Sequence, residues 1–384
     1  MIDFQRRLAR SVDLPLLGAL ALLLIFGLTI VYTATFNLSP SGAPELEAQH
    51  PYYWVSHQAV WAVLGIAALA AAAFFDYRVY SRYSRIVYIG MLLLLVVVLI
   101  VGPERLGARR WIDFGPIQLQ PAEFAKIGLI LTLAQLLDKR PEPRQLRALV
   151  LPFLHTAVPM LLILKEPDLG TTMVFVSILF GMLFVAGASR RHLLAIALSG
   201  ALLFAAAIWA SLAGVIHVLK DYQLQRLVVF LDPGAYRNGA GWNIIQSKIA
   251  IGSGGFFGNG LLAGSQTQLD FLPERHTDFI FAVIGEEFGF VGAIALLGLY
   301  ALVLWRVALV VRSARDRLGA LITGGVFAML LTHIFVNVGM AMGIMPVTGI
   351  PLPFVSVGGS FLLSNLLAVG LVVGVQVRHK RIVF

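Results

Sequence analysis

Four ionisable residues crowd into LPERHTDFI, residues 272–280: Glu274, Arg275, His276 and Asp278, directly ahead of an apolar run. A carboxylate at the edge of a partly desolvated cavity has its pKa raised and becomes a better base toward a hydroxyl. Asp278 suits that role; the bland alternative is a carboxylate stabilised by a helix N-terminus, worth about 0.3–1 kcal/mol. Glu286 and Glu287 follow in the same apolar stretch, and two adjacent glutamates cannot both face lipid. A second group, GPERLGARRWIDFGP, holds Arg105, Arg109 and Arg110 followed by Trp111. Guanidinium forks match phosphate and pyrophosphate oxygens in pairs and stay charged at any working pH; the alternative is a solvated loop whose arginines reach lipid headgroups. The Trp111 ring suits either stacking on a sugar or anchoring a membrane interface. In QPAEFAK, Glu123 and Lys126 are three apart and share a helical face, as a structural ion pair or as functional groups. KEPDLGTT adds Lys165, Glu166 and Asp168, the last placed to cap the helix that follows.

The elements that position these groups must lie in a membrane. The chain of 384 residues is 59% hydrophobic and 13% charged, with a mean hydropathy of +0.85; a soluble domain carries roughly 25% charged residues. It has no cysteine, so disulfide and thiolate chemistry are excluded. The first apolar run, LPLLGALALLLIFGLTIVYTA, is about as long as a bilayer is thick and has no Ala-x-Ala site after it, so it reads as a retained span.

The fold class expected is an all-α polytopic integral membrane protein of about ten transmembrane helices, a single transmembrane domain over residues 1–384. The spans fall near 14–35, 54–75, 84–102, 121–138, 146–164, 170–187, 192–213, 278–304, 318–343 and 354–378. Nineteen of the 29 Lys and Arg then gather at one face, including Arg6, Arg7, Arg10, Arg78, Arg144, Arg190, Arg312, Lys380 and Arg381. That face is assigned to the cytoplasm together with both termini. The net charge of +9 is thereby mostly topology, and no nucleic acid is required.

The opposite face carries a first loop with Glu45 and Glu47, the arginine-bearing loop, KEPDLG, the chargeless GIMPVTGIPLPF and a long extracytoplasmic loop over about 214–277 before the eighth span. Within the long loop, DYQLQRLVVFL and WNIIQSKIAI read as amphipathic or re-entrant pieces at the membrane surface. GSGGFFGNG matches neither dinucleotide nor Walker spacing and reads as a hinge or tight backbone turn.

Taken in order, GARRWIDFGPIQLQPAEFAK, EPDLGTT, WNIIQSKIAIGSGGFFGNG, QLDFLPERHTDFIFAVIGEEFG and GIPLPFVSVGGSF closely resemble the SEDS family of bacterial cell-wall polymerases over nearly the whole chain. SQTQLDFLPERHTDFIF and the brief N-terminus are more similar to the elongation branch than to the division branch. The resemblance implies a peptidoglycan glycosyltransferase that polymerises lipid II at the outer face of the bacterial cytoplasmic (inner) membrane. It implies that Asp278 is the essential aspartate, with Arg110, Trp111, Glu123 and Lys126 on the family's motif positions and Arg109 on a variable one. It also implies a partner, a class B penicillin-binding protein with transpeptidase activity. Two positions depart from the pattern: Val357 stands where a tyrosine is usual, and Glu166 where a glutamine is usual.

The expected reaction is attack by an acceptor sugar hydroxyl on the donor anomeric carbon, inverting, with Asp278 as general base and Arg110 neutralising the departing pyrophosphate. A divalent cation such as magnesium would suit that charge, yet the sequence shows no clear ligand set for one. The alternatives are a flippase or transporter for a lipid-linked precursor, which charges inside spans also fit, and a non-catalytic scaffold.

Overall fold

The computed structural model describes residues 13–37, 52–104, 107–115, 117–214, 221–236 and 240–378. Arg6, Arg7, Arg10, Glu45, Glu47, Arg105, Lys380 and Arg381 lie outside the described residues. Each expected span falls on a helix: α1 Leu14–Thr35, α2 Tyr53–Phe74, α4 Ser84–Val101, α5 Pro121–Asp138, α6 Leu146–Lys165, α7 Leu169–Val185, α8 Arg190–Leu212, α12 Ile280–Ser313, α13 Arg317–Ala341 and α14 Gly359–Val377. Between them lie α3 (Tyr77–Arg82), a two-stranded ribbon of β1 (Ile112–Phe114) and β2 (Ile117–Leu119), and in the long loop α9 (Asp221–Leu231), α10 (Ala240–Ser253) and α11 (Ser265–Gln268).

Eight of the described helices are long and apolar enough to cross a membrane. The count of ten spans is thus not reached by length and composition. Helix α5 carries Glu123, Lys126 and Asp138, and α7 has 17 residues; both pack inside the bundle, where charge is tolerated if paired. Helix α12 runs 34 residues, well past the expected end at 304. The last helix starts at Gly359, because Leu352–Ser356 is drawn into a turn in which Ser356 N–H donates to Leu352 C=O at 3.0 Å.

Helices α13 and α14 form the middle of the bundle. They bury residues around most of their circumference, as an all-round apolar helix must. Helix α14 lies along α2, close enough that a Cβ on Gly370 would meet the α2 backbone at Leu69. By contrast α8 stands at the periphery, with Leu194, Leu198, Leu202, Leu203 and Trp209 exposed, the surface expected of a helix facing lipid. At the end of the bundle assigned to the cytoplasm, Asp13 caps α1 and pairs with Arg306 of α12 at 2.7 Å. Asp316 likewise caps α13 and binds Arg78 of α3 at 2.6 Å.

At the other end, α12 is broken. Gly289 has φ 64 and ψ −160, and a Cβ there would run into Gly258 N. The interruption frees backbone groups that residues 255–260 take up: Asn259 N–H donates to Glu286 C=O and Gly260 N–H to Glu287 C=O, each at 3.0 Å, and Phe290 N–H donates to Gly255 C=O at 3.0 Å. GSGGFFGNG is therefore a backbone-to-backbone lock, the turn expected of its glycines. Glu286 and Glu287 are both buried and serve the same lock. Glu286 accepts from Gln266 N–H at 2.7 Å and from the Thr267 hydroxyl at 2.7 Å, and Glu287 accepts from Leu262 N–H at 3.1 Å. They hold loop to helix within the long segment, and Thr33 of α1, a neighbouring span, also hydrogen-bonds Glu287.

Candidate active site

Asp278 is set by an unusual turn. Glu274 has φ 52, and its carbonyl gathers the N–H groups of Thr277, Asp278 and Phe279 at 3.3, 3.1 and 3.2 Å. The turn is pinned on its far side by a side chain from mid-bundle: Asn337 of α13 donates from Nδ2 to Asp278 C=O at 2.9 Å and to Ile350 C=O at 2.8 Å. Ser356 donates to Thr277 C=O at 2.6 Å, and Val357 N–H to His276 C=O at 3.0 Å. The chargeless loop 344–358 is thereby the cradle of the 274–278 turn. Gly349 of this loop has φ 76, a conformation that favours glycine, and Asp278 Oδ2 lies in ordinary contact range of where its Cβ would be. Arg275 and His276 are absorbed by structure. Arg275 is buried, donates from Nε to Ala34 C=O at 2.8 Å and pairs with Asp270, while the His276 ring packs 5.1 Å from Trp54.

Asp278 opens onto a cavity of about 430 Å³ lined also by Arg110, Trp111, Glu123, Lys126, Asp168, Arg226, Glu274 and His333. Of the residues singled out in the sequence, Asp278, Arg110, Trp111, Glu123 and Lys126 meet here. Arg109 does not; it is exposed and pairs with Glu104 at 3.7 Å. Adjacent residues at the edge of an extended strand point opposite ways, which separates the two arginines.

Each wall has a local reason. The β1–β2 ribbon pairs Ile112 with Leu119 and Asp113 with Gln118, and is tied to α14 by Gln120 N–H donating to Ser360 Oγ at 3.1 Å. This places Arg110 and Trp111 over the start of α5. Arg110 Nε donates to Glu166 C=O at 2.9 Å, and its terminal nitrogen donates to Pro167 C=O, fixing the guanidinium through backbone oxygens rather than a carboxylate. Lower down, Lys126 and Glu123 are 1% and 4% exposed and 2.8 Å apart; Glu123 also accepts from Ser364 at 3.1 Å, and Lys126 Nζ lies 3.2 Å from His333 Nε2. A buried ion pair with further hydrogen bonds meets the conditions under which charge survives away from water. Asp168 caps α7, accepting from Thr171 N–H at 2.9 Å, which is the bland role expected of it.

Arg226 and His333 were not legible as site residues. Arg226 is the one basic residue of DYQLQRLVVFL, and its Nη1 donates to Thr348 C=O at 3.3 Å across the mouth of the cavity. A single arginine on an amphipathic helix in the outer segment is the signal that was available. His333 lies inside an apolar helix with nothing beside it in sequence to suggest a cavity.

Burial raises the Asp278 carboxyl to about 7, with the Glu274 charge acting in the same direction and Arg226, the Thr277 hydroxyl and Arg110 opposing. Glu166, fully buried with neither carboxyl oxygen hydrogen-bonded, is pushed up to about 8 by burial and then by Asp168, against the pull of Arg110. A group with a pKa near 7 sits where proton transfer at neutral pH is most efficient. Among the described residues, no group of three or more His, Asp and Glu is arranged to hold a metal ion.

A polar cavity at one end of a helical membrane bundle, in which carboxylates and cations face one space, defines a multi-pass membrane protein with an enzyme-like site. The family profile of FtsW, RodA and SpoVE, described as cell cycle protein, matches residues 15–381, and the chain belongs to that family. The peptidoglycan glycosyltransferase MrdB of Escherichia coli K12 is 41% identical over 318 residues, which are 83% of this chain and 84% of MrdB. The crystal structure of the Thermus thermophilus rod shape determining protein RodA superposes with a TM-score of 0.67 at 31% identity, over 95% of this chain and 96% of that one. A chain from work on the structural coordination of polymerization and crosslinking by a peptidoglycan synthase complex superposes with a TM-score of 0.79 at 34% identity, over 96% and 99% of the two chains.

Proposed function

We propose that this chain is a peptidoglycan glycosyltransferase that polymerises lipid II, with Asp278 as the general base. The observation that carries the reading is the shared cavity: Asp278, raised to about 7, stands with Arg110, Arg226 and Lys126 around one space of about 430 Å³. In the reaction the acceptor's sugar hydroxyl gives its proton to Asp278 and its oxygen bonds the donor's anomeric carbon. The carbon–phosphate oxygen bond breaks, and its electron pair leaves on the polyprenyl pyrophosphate. Attack opposite the leaving group inverts the centre and yields a β-1,4 link. Arg110 and Arg226 are placed to stabilise the charge that grows on the pyrophosphate, where preorganised cations act most strongly. Glu123 holds Lys126 in place, and Trp111 offers a ring face to a sugar.

The substrate is an amphiphile, and the fold offers both environments. Helices α7 and α13 line the polar cavity through Thr171, Val174 and His333. The same two helices line an apolar cleft of about 920 Å³ with α6 and α8, through Phe153, Met173, Phe180, Leu331 and Phe335. A polyprenyl tail is the part of lipid II that such a cleft would take. The reading also places the cavity at the outer face of the cytoplasmic membrane, opposite the basic face. The elongation role, and a class B penicillin-binding protein as partner, rest on the likeness to RodA and to a chain of a peptidoglycan synthase complex.

The test is direct. Purified protein in detergent, given lipid II alone, should produce glycan chains resolved by gel electrophoresis. A flippase or a scaffold makes none under those conditions.

A further inference from the structure

Each residue of the 274–278 turn except one is used by the architecture already described. Arg275 is held by Ala34 and Asp270, His276 by Trp54 and Val357, and the Thr277 carbonyl by Ser356. The Glu274 carboxylate is not among the ion pairs of the described residues. It is exposed, it lines the same cavity as Asp278, and its Oε2 accepts from the Thr277 hydroxyl at 3.1 Å. The Thr277 hydroxyl, beside Asp278 in the chain, is also near enough to its carboxylate to lower that group's proton affinity. The Asp278 carboxylate, the Thr277 hydroxyl and the exposed Glu274 carboxylate therefore adjoin on one wall of the cavity.

The geometry points to Glu274 as the group that carries the proton from Asp278 to solvent after each glycosyl transfer, through the Thr277 hydroxyl. The inference rests on Asp278 being the base. A processive polymerase must clear that base every cycle, while a bound amphiphile fills the cavity and shuts out water. The step balances: protonated Asp278 gives its proton to Thr277 Oγ1, the Thr277 proton passes to Glu274, and Glu274 releases it to water, which restores the Asp278 carboxylate. Glu274 acts through Asp278 and is a positioning residue for proton movement. Its fixed charge works with the relay, since it raises the proton affinity of Asp278 against the arginines that lower it.

The titratable and charged groups that share the cavity with Asp278 are Glu274 from its own turn, Arg226 from α9, Arg110 from the segment before β1, Glu123 and Lys126 from α5, Asp168 ahead of α7 and His333 from α13. Removing Glu274 leaves the cations in excess, so the acid limb of the rate profile moves to lower pH.

The experiment measures lipid II polymerisation by the purified full chain from acid to alkaline pH, for Glu274→Gln, Glu274→Asp, Thr277→Val and Asp278→Asn. Expected for Glu274→Gln is a fall in kcat of about 10-fold or more with KM unchanged, and an acid limb displaced downward. Glu274→Asp recovers most of the loss, Thr277→Val reproduces the kcat defect, and added small carboxylate or imidazole buffer rescues Glu274→Gln. If Glu274→Gln keeps the parent's kcat and pH profile while Asp278→Asn is inactive, the relay is wrong and the base assignment stands. If Asp278→Asn itself turns over normally, the base assignment fails and the relay with it.

Discussion

Two carboxyls in the loops that line the cavity end of the bundle, Asp278 and Glu166, have proton affinities far from those of exposed acids, and each makes a prediction. Asp278 must be ionised to act as base, and burial with the Glu274 charge sets its midpoint at about 7. Because the active form is deprotonated, kcat rises with pH and reaches half its plateau near that value; a rate that stays flat down to the pKa of an ordinary carboxylate would contradict the assignment. Glu166 stands where the family commonly has glutamine. Held neutral below about 8, it presents an uncharged group behind Arg110, much as an amide would. Above that pH a negative charge appears beside the guanidinium and competes with an anionic donor, so KM for lipid II should rise several-fold at alkaline pH. Glu166→Gln should remove that rise, measured as KM across the alkaline range. Asp278, Arg110, Glu123 and Lys126 were legible as cavity residues because charge inside a greasy chain is costly and stands out, and Trp111 through its place directly after Arg110. Arg226 and His333 were not: what makes each a cavity residue is the packing of α9 and α13, which no local spacing records.

At the scale of elements, the helices were legible because apolar runs of bilayer length have few other meanings. Their ends were less so. The break at Gly289 depends on a tertiary hydrogen bond from Phe290 N–H to Gly255, and the late start of α14 on the 352–356 turn, which the Ser356 hydroxyl ties to Thr277 C=O. Glu286 and Glu287 showed the same limit: their burial and a contact to a neighbouring span, Thr33 of α1, were foreseeable, and their backbone partners in the 262–267 loop were not. The lock at Gly289 holds the start of α12, and with it the turn that carries Asp278. Any Cβ at φ 64 and ψ −160 is strained, and here it would also meet Gly258. Gly289→Ala should therefore cost about 1–3 kcal/mol of stability or more. Thermal unfolding in detergent reads this directly, and an unchanged Tm would show that the lock is dispensable.

At the scale of the whole molecule, the arginines and lysines arrange the chain in the membrane and the surplus cations mark the other end. The chain has no cysteine, so single cysteines report sidedness without background. Glu104 and Glu142 are both exposed, at opposite ends of the bundle. A membrane-impermeant maleimide should label Glu104→Cys in intact cells and Glu142→Cys only after the membrane is opened; the reverse pattern would invert the topology. In the proposed reaction this orientation lets a lipid-linked donor reach Asp278 with its tail still in lipid.

In the proposed reaction one carboxylate, Asp278, takes the proton from the attacking sugar hydroxyl. The measurement that bears on it most directly is glycan synthesis from lipid II by purified Asp278→Asn beside the parent, with both shown to be folded by their thermal unfolding. The substitution keeps the size of the side chain and removes its basicity, so the rate should fall by about 10²–10⁴-fold. Glycan chains formed at the parent's rate by a folded Asp278→Asn would contradict the claim.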